Sequence, residues 1–146
     1  WNNGLGARIT YAYTKEQLAK DKDGNSINNQ YIPAREHALN VRMDYDRQIS
    51  SNYGLNIGLQ GRVLSGVENV EYKDYYDVSK GTISVQYPAY TLWKLSLVQR
   101  IGKAVKVNAA LDNLFGYKPK YYYLNSPITD GVTFQVGVSI DIDKFF

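Results

Sequence analysis

Six stretches of this chain alternate apolar and polar residues with a period of two, and the charged side chains within them keep to one parity. The most regular stretch covers residues 132–142, where Val132, Phe134, Val136, Val138, Ile140 and Ile142 alternate with Thr133, Gln135, Gly137, Ser139 and Asp141. Successive strand side chains point to opposite faces, so this is a strand with one oily face. Beyond Asp143 and Lys144 the same parity lands on Phe146. Earlier apolar rows begin with Leu5, Ala7, Ile9, Tyr11 and Tyr13, followed by Leu39, Val41, Met43 and Tyr45, with that second strand expected to end at Gln48-Ile49-Ser50-Ser51-Asn52. A third row runs Tyr53, Leu55, Ile57, Leu59, Gly61 and Val63. Thr91, Trp93, Leu95, Leu97 and Ile101 make a fourth, blurred by Leu92 and Val98, and Val105, Val107, Ala109 and Leu111 a fifth. Arg8, Arg42, Asp44, Asp46, Arg62, Lys94, Arg100, Lys106, Asp112 and Asp141 all fall on the opposite rows, and the apolar rows are expected to carry no charge.

Three polar connections, at about residues 21–35, 65–87 and 116–131, alternate with two short ones at residues 48–52 and 102–103. Long connections on one rim and tight turns on the other are the habit of an outer-membrane barrel. About eleven residues at ~3.3 Å each, tilted ~45°, rise about 25 Å, the height of its apolar band. A soluble two-sheet sandwich also alternates, and stands as a competing reading. No apolar run approaches the ~18 residues of a membrane helix, so a membrane location must come from strands. Fourteen tyrosines and twelve glycines favour strands and turns. Tyr11, Tyr13, Tyr45, Tyr53 and Phe146 lie near strand ends, where aromatic girdles sit. The absence of cysteine excludes a disulfide scaffold. A net charge of +3, dispersed along the chain, argues against a nucleic-acid partner.

Leu111-Asp112-Asn113-Leu114-Phe115, a tyrosine-rich loop, and then Asp130-Gly131-Val132-Thr133-Phe134-Gln135-Val136-Gly137-Val138 with a terminal phenylalanine resemble the carboxyl end of TonB-dependent outer-membrane receptors. The Asn113-Leu114-Phe115 triplet is the more specific sign. Where the family has Pro-Gly-Arg and an aromatic before its last strand, this chain keeps Gly131 and Phe134 and lacks the arginine. Ile32-Pro33-Ala34-Arg35-Glu36-His37-Ala38-Leu39-Asn40 resembles the family's proline-containing approach to a descending strand. The resemblance implies an all-β, antiparallel transmembrane barrel segment, the last six of about twenty-two strands. Six strands leave two open edges, and unpaired backbone groups in hydrocarbon cost several kcal/mol each. Residues 1–146 are therefore expected to form the carboxyl-terminal portion of a barrel, with the remaining strands and the plug outside this chain. Closure as a small eight-stranded barrel would need an extra hairpin from residues 66–72 and 82–87.

Candidate sites lie on the loops. Tyr72, Tyr75 and Tyr76 in the second loop and Lys118, Lys120, Tyr121, Tyr122 and Tyr123 in the third could contact a ligand, since tyrosine stacks on rings and hydrogen-bonds at its edge. Packing of these tyrosines on one another is the competing reading, and parity does not choose between them. His37, the sole histidine, shares parity with Leu39 and should face outward, which disfavours haem ligation. Residues 21–25 start like a calcium loop, but the twelfth position is Ile32, so a hairpin tip is expected. No metal, cofactor or catalytic constellation is expected, and Asp44 and Asp46 lie among arginines.

The resemblance implies transport: capture of a siderophore, haem, cobalamin or oligosaccharide by the loops, with release driven by a TonB-type energy transducer acting on the plug. It further implies a bacterial outer membrane with the carboxyl terminus in the periplasm. Partners would be outer-membrane lipid, the rest of the barrel, a surface lipoprotein and the barrel-assembly machinery, which would read Phe134 and Phe146. A passive porin-like or adhesin barrel fragment and a soluble binding module are the alternatives.

Overall fold

The computed structural model of the chain describes residues 3–15, 22–24, 34–119, 129 and 131–144. Eight strands occur there: β1 Leu5–Tyr13, β2 His37–Ser50, β3 Tyr53–Leu64, β4 Val67–Tyr72, β5 Thr82–Tyr87, β6 Tyr90–Ile101, β7 Val105–Asp112 and β8 Thr133–Ile140. Six of them form one antiparallel sheet in the order β1-β2-β3-β6-β7-β8. β4 and β5 pair only with each other. The hairpin foreseen for an eight-stranded closure therefore exists but stands outside the wall, because β3 spends its free edge on β6, from Tyr53 against Ile101 to Leu64 against Tyr90. The outer edges of β1 and β8 have no strand beside them among the described residues.

Among the described residues no protein layer covers the apolar parity. Ile9 is 71% exposed, Phe134 66% and Val138 61%, while Leu64 and Tyr87 are the only buried apolar side chains among the described residues. A soluble sandwich would cover this face with a second sheet, and the detached two-stranded hairpin is no such cover. The described residues thus lack the second layer that a sandwich needs. Among the described residues no helix is long and apolar enough to cross a membrane.

Two departures from the expected pattern concern β2 and β3. β2 ends at Ser50, within the expected stretch 48–52, with an irregularity between Gln48 and Ser50. Within β2, Arg47, opposite Leu55, shares the oily parity of Leu39, Val41, Met43 and Tyr45. That row is therefore not free of charge. Arg47 lies near the rim of short turns, two residues beyond Tyr45, where a long cationic side chain reaches headgroups while its stem stays in the apolar layer. Gly61 breaks the oily row of β3 because the Trp93 ring occupies its place: a Cβ on Gly61 would lie 2.5 Å from that ring.

Pairing register shows that the strands are tilted. Arg8, Arg42, Gln60, Lys94, Asp112 and Thr133 are successive cross-strand partners from β1 to β8. Relative to that row the centre of β1, Ile9, lies one residue towards the long loops. The centre of β8, between Val136 and Gly137, lies about three and a half residues the other way. The wall thus drifts by about one residue per strand. With ~3.3 Å per residue and ~4.8 Å between strands the drift corresponds to a tilt of about 35°, within the range of closed barrels. Val136, at the centre of β8, is the depth marker of the oily face. In the full-length receptor Val136→Arg is expected to cost about 2–4 kcal/mol, as for a cation at the bilayer midplane, and equilibrium urea unfolding in lipid vesicles measures it.

Candidate functional site

The face opposite the oily one carries a groove of about 640 Å³, lined from all six wall strands, with the row from Arg8 to Thr133 running across it. One concavity reached from every strand requires the sheet to curl towards its polar face. That face is the concave side of the sheet, as the inner wall of a barrel is. Its side chains meet across strands. Lys94 on β6 bonds to Asp112 directly opposite on β7, at 3.0 Å. Arg100 of β6 passes over β3 to Asp46 of β2, at 2.6 Å, and Asn56 donates to the same carboxylate. Room for this crossing comes from Gly54, where a Cβ would sit 2.7 Å from the Arg100 Nε.

The long-loop rim is tied together by Arg35. Its Nη1 donates to the carbonyls of Ser65 and Pro88, the two ends of the segment carrying the β4–β5 hairpin. Its guanidinium lies 4.7 Å over the Tyr90 ring, and Tyr90 stacks on Tyr117 at 5.2 Å. Burial pushes the Tyr117 hydroxyl pKa up, against an opposing pull from Arg35. Tyr117 is held in turn by Asn113, whose Oδ1 accepts from the Tyr117 N–H at 2.9 Å. The Asn113 Nδ2 donates to the Tyr117 carbonyl at 2.7 Å and the Thr129 hydroxyl at 2.9 Å. Asn113 adopts φ 53°, a left-handed conformation that asparagine tolerates better than most residues. The motif residue thus clamps the base of the third loop. Phe115 of the same triplet lies edge-on to Trp93 at 6.2 Å, on the oily side.

Of the loop residues singled out in the sequence, Tyr72, Tyr75 and Tyr76 lie at the tip of the β4–β5 hairpin. Tyr72 and Tyr75 meet edge to face at 6.5 Å, so packing holds for that pair, whereas Tyr76 is fully exposed. The tip is pinned beneath it: the Tyr76 N–H bonds to Asp74 at 2.9 Å, and Lys80 reaches the same carboxylate at 2.6 Å. These contacts, the Lys80 bond first, hold the Asp74 pKa below its ordinary value. Asp77 caps the short helix η1 Val78–Lys80 through the Ser79 N–H. Lys118 is exposed, and its stem crosses Gly131, whose φ of 105° suits glycine. Lys120, Tyr121, Tyr122, Tyr123 and Phe146 lie outside the described residues. Phe134 stands on the oily face. His37 also faces the oily side, as expected: its Nδ1 meets the Tyr11 hydroxyl at 2.7 Å, with the Tyr13 ring at 5.2 Å. Residues 22–24 form a turn, as the hairpin-tip reading requires. Among the described residues no group of acidic and histidine side chains is arranged to hold a metal ion.

Compared with known families, residues 1–114 match the model of a family described as TonB dependent receptor-like, beta-barrel. That span contains β1 to β7, and pairing adds β8 to the same sheet. No curated protein and no solved structure gives a match.

Two outcomes test the rim. Asn113→Gly keeps the backbone conformation and loses the clamp, so it should cost about 1–3 kcal/mol and speed proteolysis at residues 116–129 of the folded receptor. The Asp74 contribution to the tip is present above the ordinary carboxylate pKa and is lost as pH falls through the depressed one. Hydrogen exchange at the Tyr76 amide, corrected for intrinsic rates, should stay protected from neutral pH into the ordinary carboxylate range and lose protection only below it.

Proposed function

Because the chain belongs to the TonB-dependent receptor-like β-barrel family, we propose that residues 1–146 are the carboxyl-terminal portion of the wall of an energy-coupled importer. Membership of that family supports a location in the bacterial outer membrane and a role among receptors and transporters. One observation supports the finer reading: among the described residues a single sheet has an uncovered oily face, a charged groove on its other side and no strand beside β1 or β8. A wall of this kind is complete only when further strands pair with β1 and β8 and lipid covers the outside.

The long-loop rim faces the exterior in this reading, and the β8 end with Ile142–Lys144 lies in the periplasm. The β4–β5 hairpin, with Tyr76 displayed on a pinned tip, is the ligand-capturing element, joined by the third loop with Lys118, Lys120 and Tyr121, Tyr122 and Tyr123. Tyrosine rings suit a macrocycle or a sugar, so the cargo class is a scarce nutrient such as a siderophore, haem, cobalamin or an oligosaccharide. A plug elsewhere in the receptor closes the lumen and takes the pull of a TonB-type transducer. A surface lipoprotein would approach the hairpin. Phe134 and Phe146 serve the barrel-assembly machinery.

In planar bilayers the full-length receptor should conduct little until urea unfolds the plug, after which conductance should rise sharply. A constitutively open pore would favour a passive porin-like wall instead.

A further inference from the structure

We propose that Arg8, Arg42 and Arg62 form a carboxylate-binding site on the inner wall, reaching from the middle of β1 towards the long-loop end of β3. Arg8 and Arg42 are direct cross-strand partners, and Arg62 lies one strand further, diagonal to Arg42. Like charges directly opposite on neighbouring strands destabilise a sheet unless an anion lies between them. The neighbouring acids leave this cluster largely uncompensated. Asp112 is taken by Lys94. Asp44 meets Arg42 through Nε alone, at 3.4 Å. Among the described residues Arg8 and Arg62 have no carboxylate partner. All three arginines line the same groove, and Thr10, Asn40 and Gln60 stand between them with further hydrogen-bonding groups.

The side-chain types define the ligand. Guanidinium forks offer paired N–H donors in a plane and match carboxylates in bidentate geometry. Three of them on adjoining strands suit an occupant carrying two or more carboxylates. The chemistry is the same whether the carboxylates belong to a protein segment lodged in the lumen or to a soluble ligand in transit. The inference rests on the reading of this chain as a barrel wall.

The test uses the full-length receptor in detergent at low ionic strength, with citrate as the probe. It compares wild type, the triple variant Arg8→Gln/Arg42→Gln/Arg62→Gln, and Lys106→Gln, a cation of the same face outside the groove. If soluble carboxylates are the source, citrate raises the wild-type Tm by about 2–4 °C. The shift persists in Lys106→Gln and vanishes in the triple variant. If a lodged segment is the source, citrate has no effect on wild type, and the triple variant alone exposes an interior segment to protease. Should the triple variant fail to insert, Arg8→Gln carries the same comparison. A heat-modifiable wild-type barrel with neither a citrate shift nor a change in protection overturns the carboxylate site. Loss of heat modifiability in the wild type would instead overturn the barrel reading beneath it.

Discussion

A sheet one layer thick cannot hide its oily face from solvent by its own means, and every other feature of this wall is arranged around that constraint. Backbone groups are satisfied sideways, strand to strand, leaving the side chains to divide between two environments. On one side Leu5, Ile9, Phe134, Val136 and Val138 stand exposed, with nothing above them among the described residues. In water such a surface would drive aggregation; in hydrocarbon it is the stable arrangement. The aromatic residues then mark the limits of the layer, Tyr11, Tyr13, Trp93 and Phe115 towards the long loops and Tyr45 and Tyr53 towards the short turns.

The opposite face obeys different physics. It is polar and groove-bearing, so charged groups keep access to water and to one another, and individual pairs such as Arg42 and Asp44 contribute little stability. Their value is positional. The Arg100–Asp46 bridge links β6 to β2 across β3, and it exists because β3 has glycine at position 54. Glycine in the interior of a strand normally weakens it; here it opens the path for a side chain from the neighbouring strand. On the oily face Gly61 does the same for Trp93.

At the long-loop rim the wall becomes a platform. Arg35 joins the approach to β2 with both ends of the hairpin segment, and the Tyr90–Tyr117 stack carries that contact to the third loop, where Asn113 fastens it. One continuous set of contacts thus connects all three long connections, with the hairpin tip held separately by Asp74, Lys80 and Asp77. Loops supported in this way can present residues such as Tyr76 at a low entropic cost on binding.

The sequence by itself determined the strands, their facing and the alternation of long and short connections, because the period of two is local and the polar and apolar rows follow directly from it. It also identified Asn113-Leu114-Phe115 as a distinctive triplet and placed His37 on the oily side. Tertiary structure decided what depends on partners far apart in the chain. Whether residues 67–87 joined the wall was settled by β3 pairing with β6, a competition between strands that no local pattern records. The role of Arg35 was hidden because it lies just outside a strand and its partners, Ser65, Pro88 and Tyr90, come from distant segments. Arg47, two residues after Tyr45, was legible by the same parity as a charge on the oily row, and the pairing of β2 with β3 through Gln48 confirms that it belongs to the strand. The adjacency of Arg8, Arg42 and Arg62 required the register, since each is an ordinary polar-row residue in its own strand and only cross-strand alignment makes them neighbours.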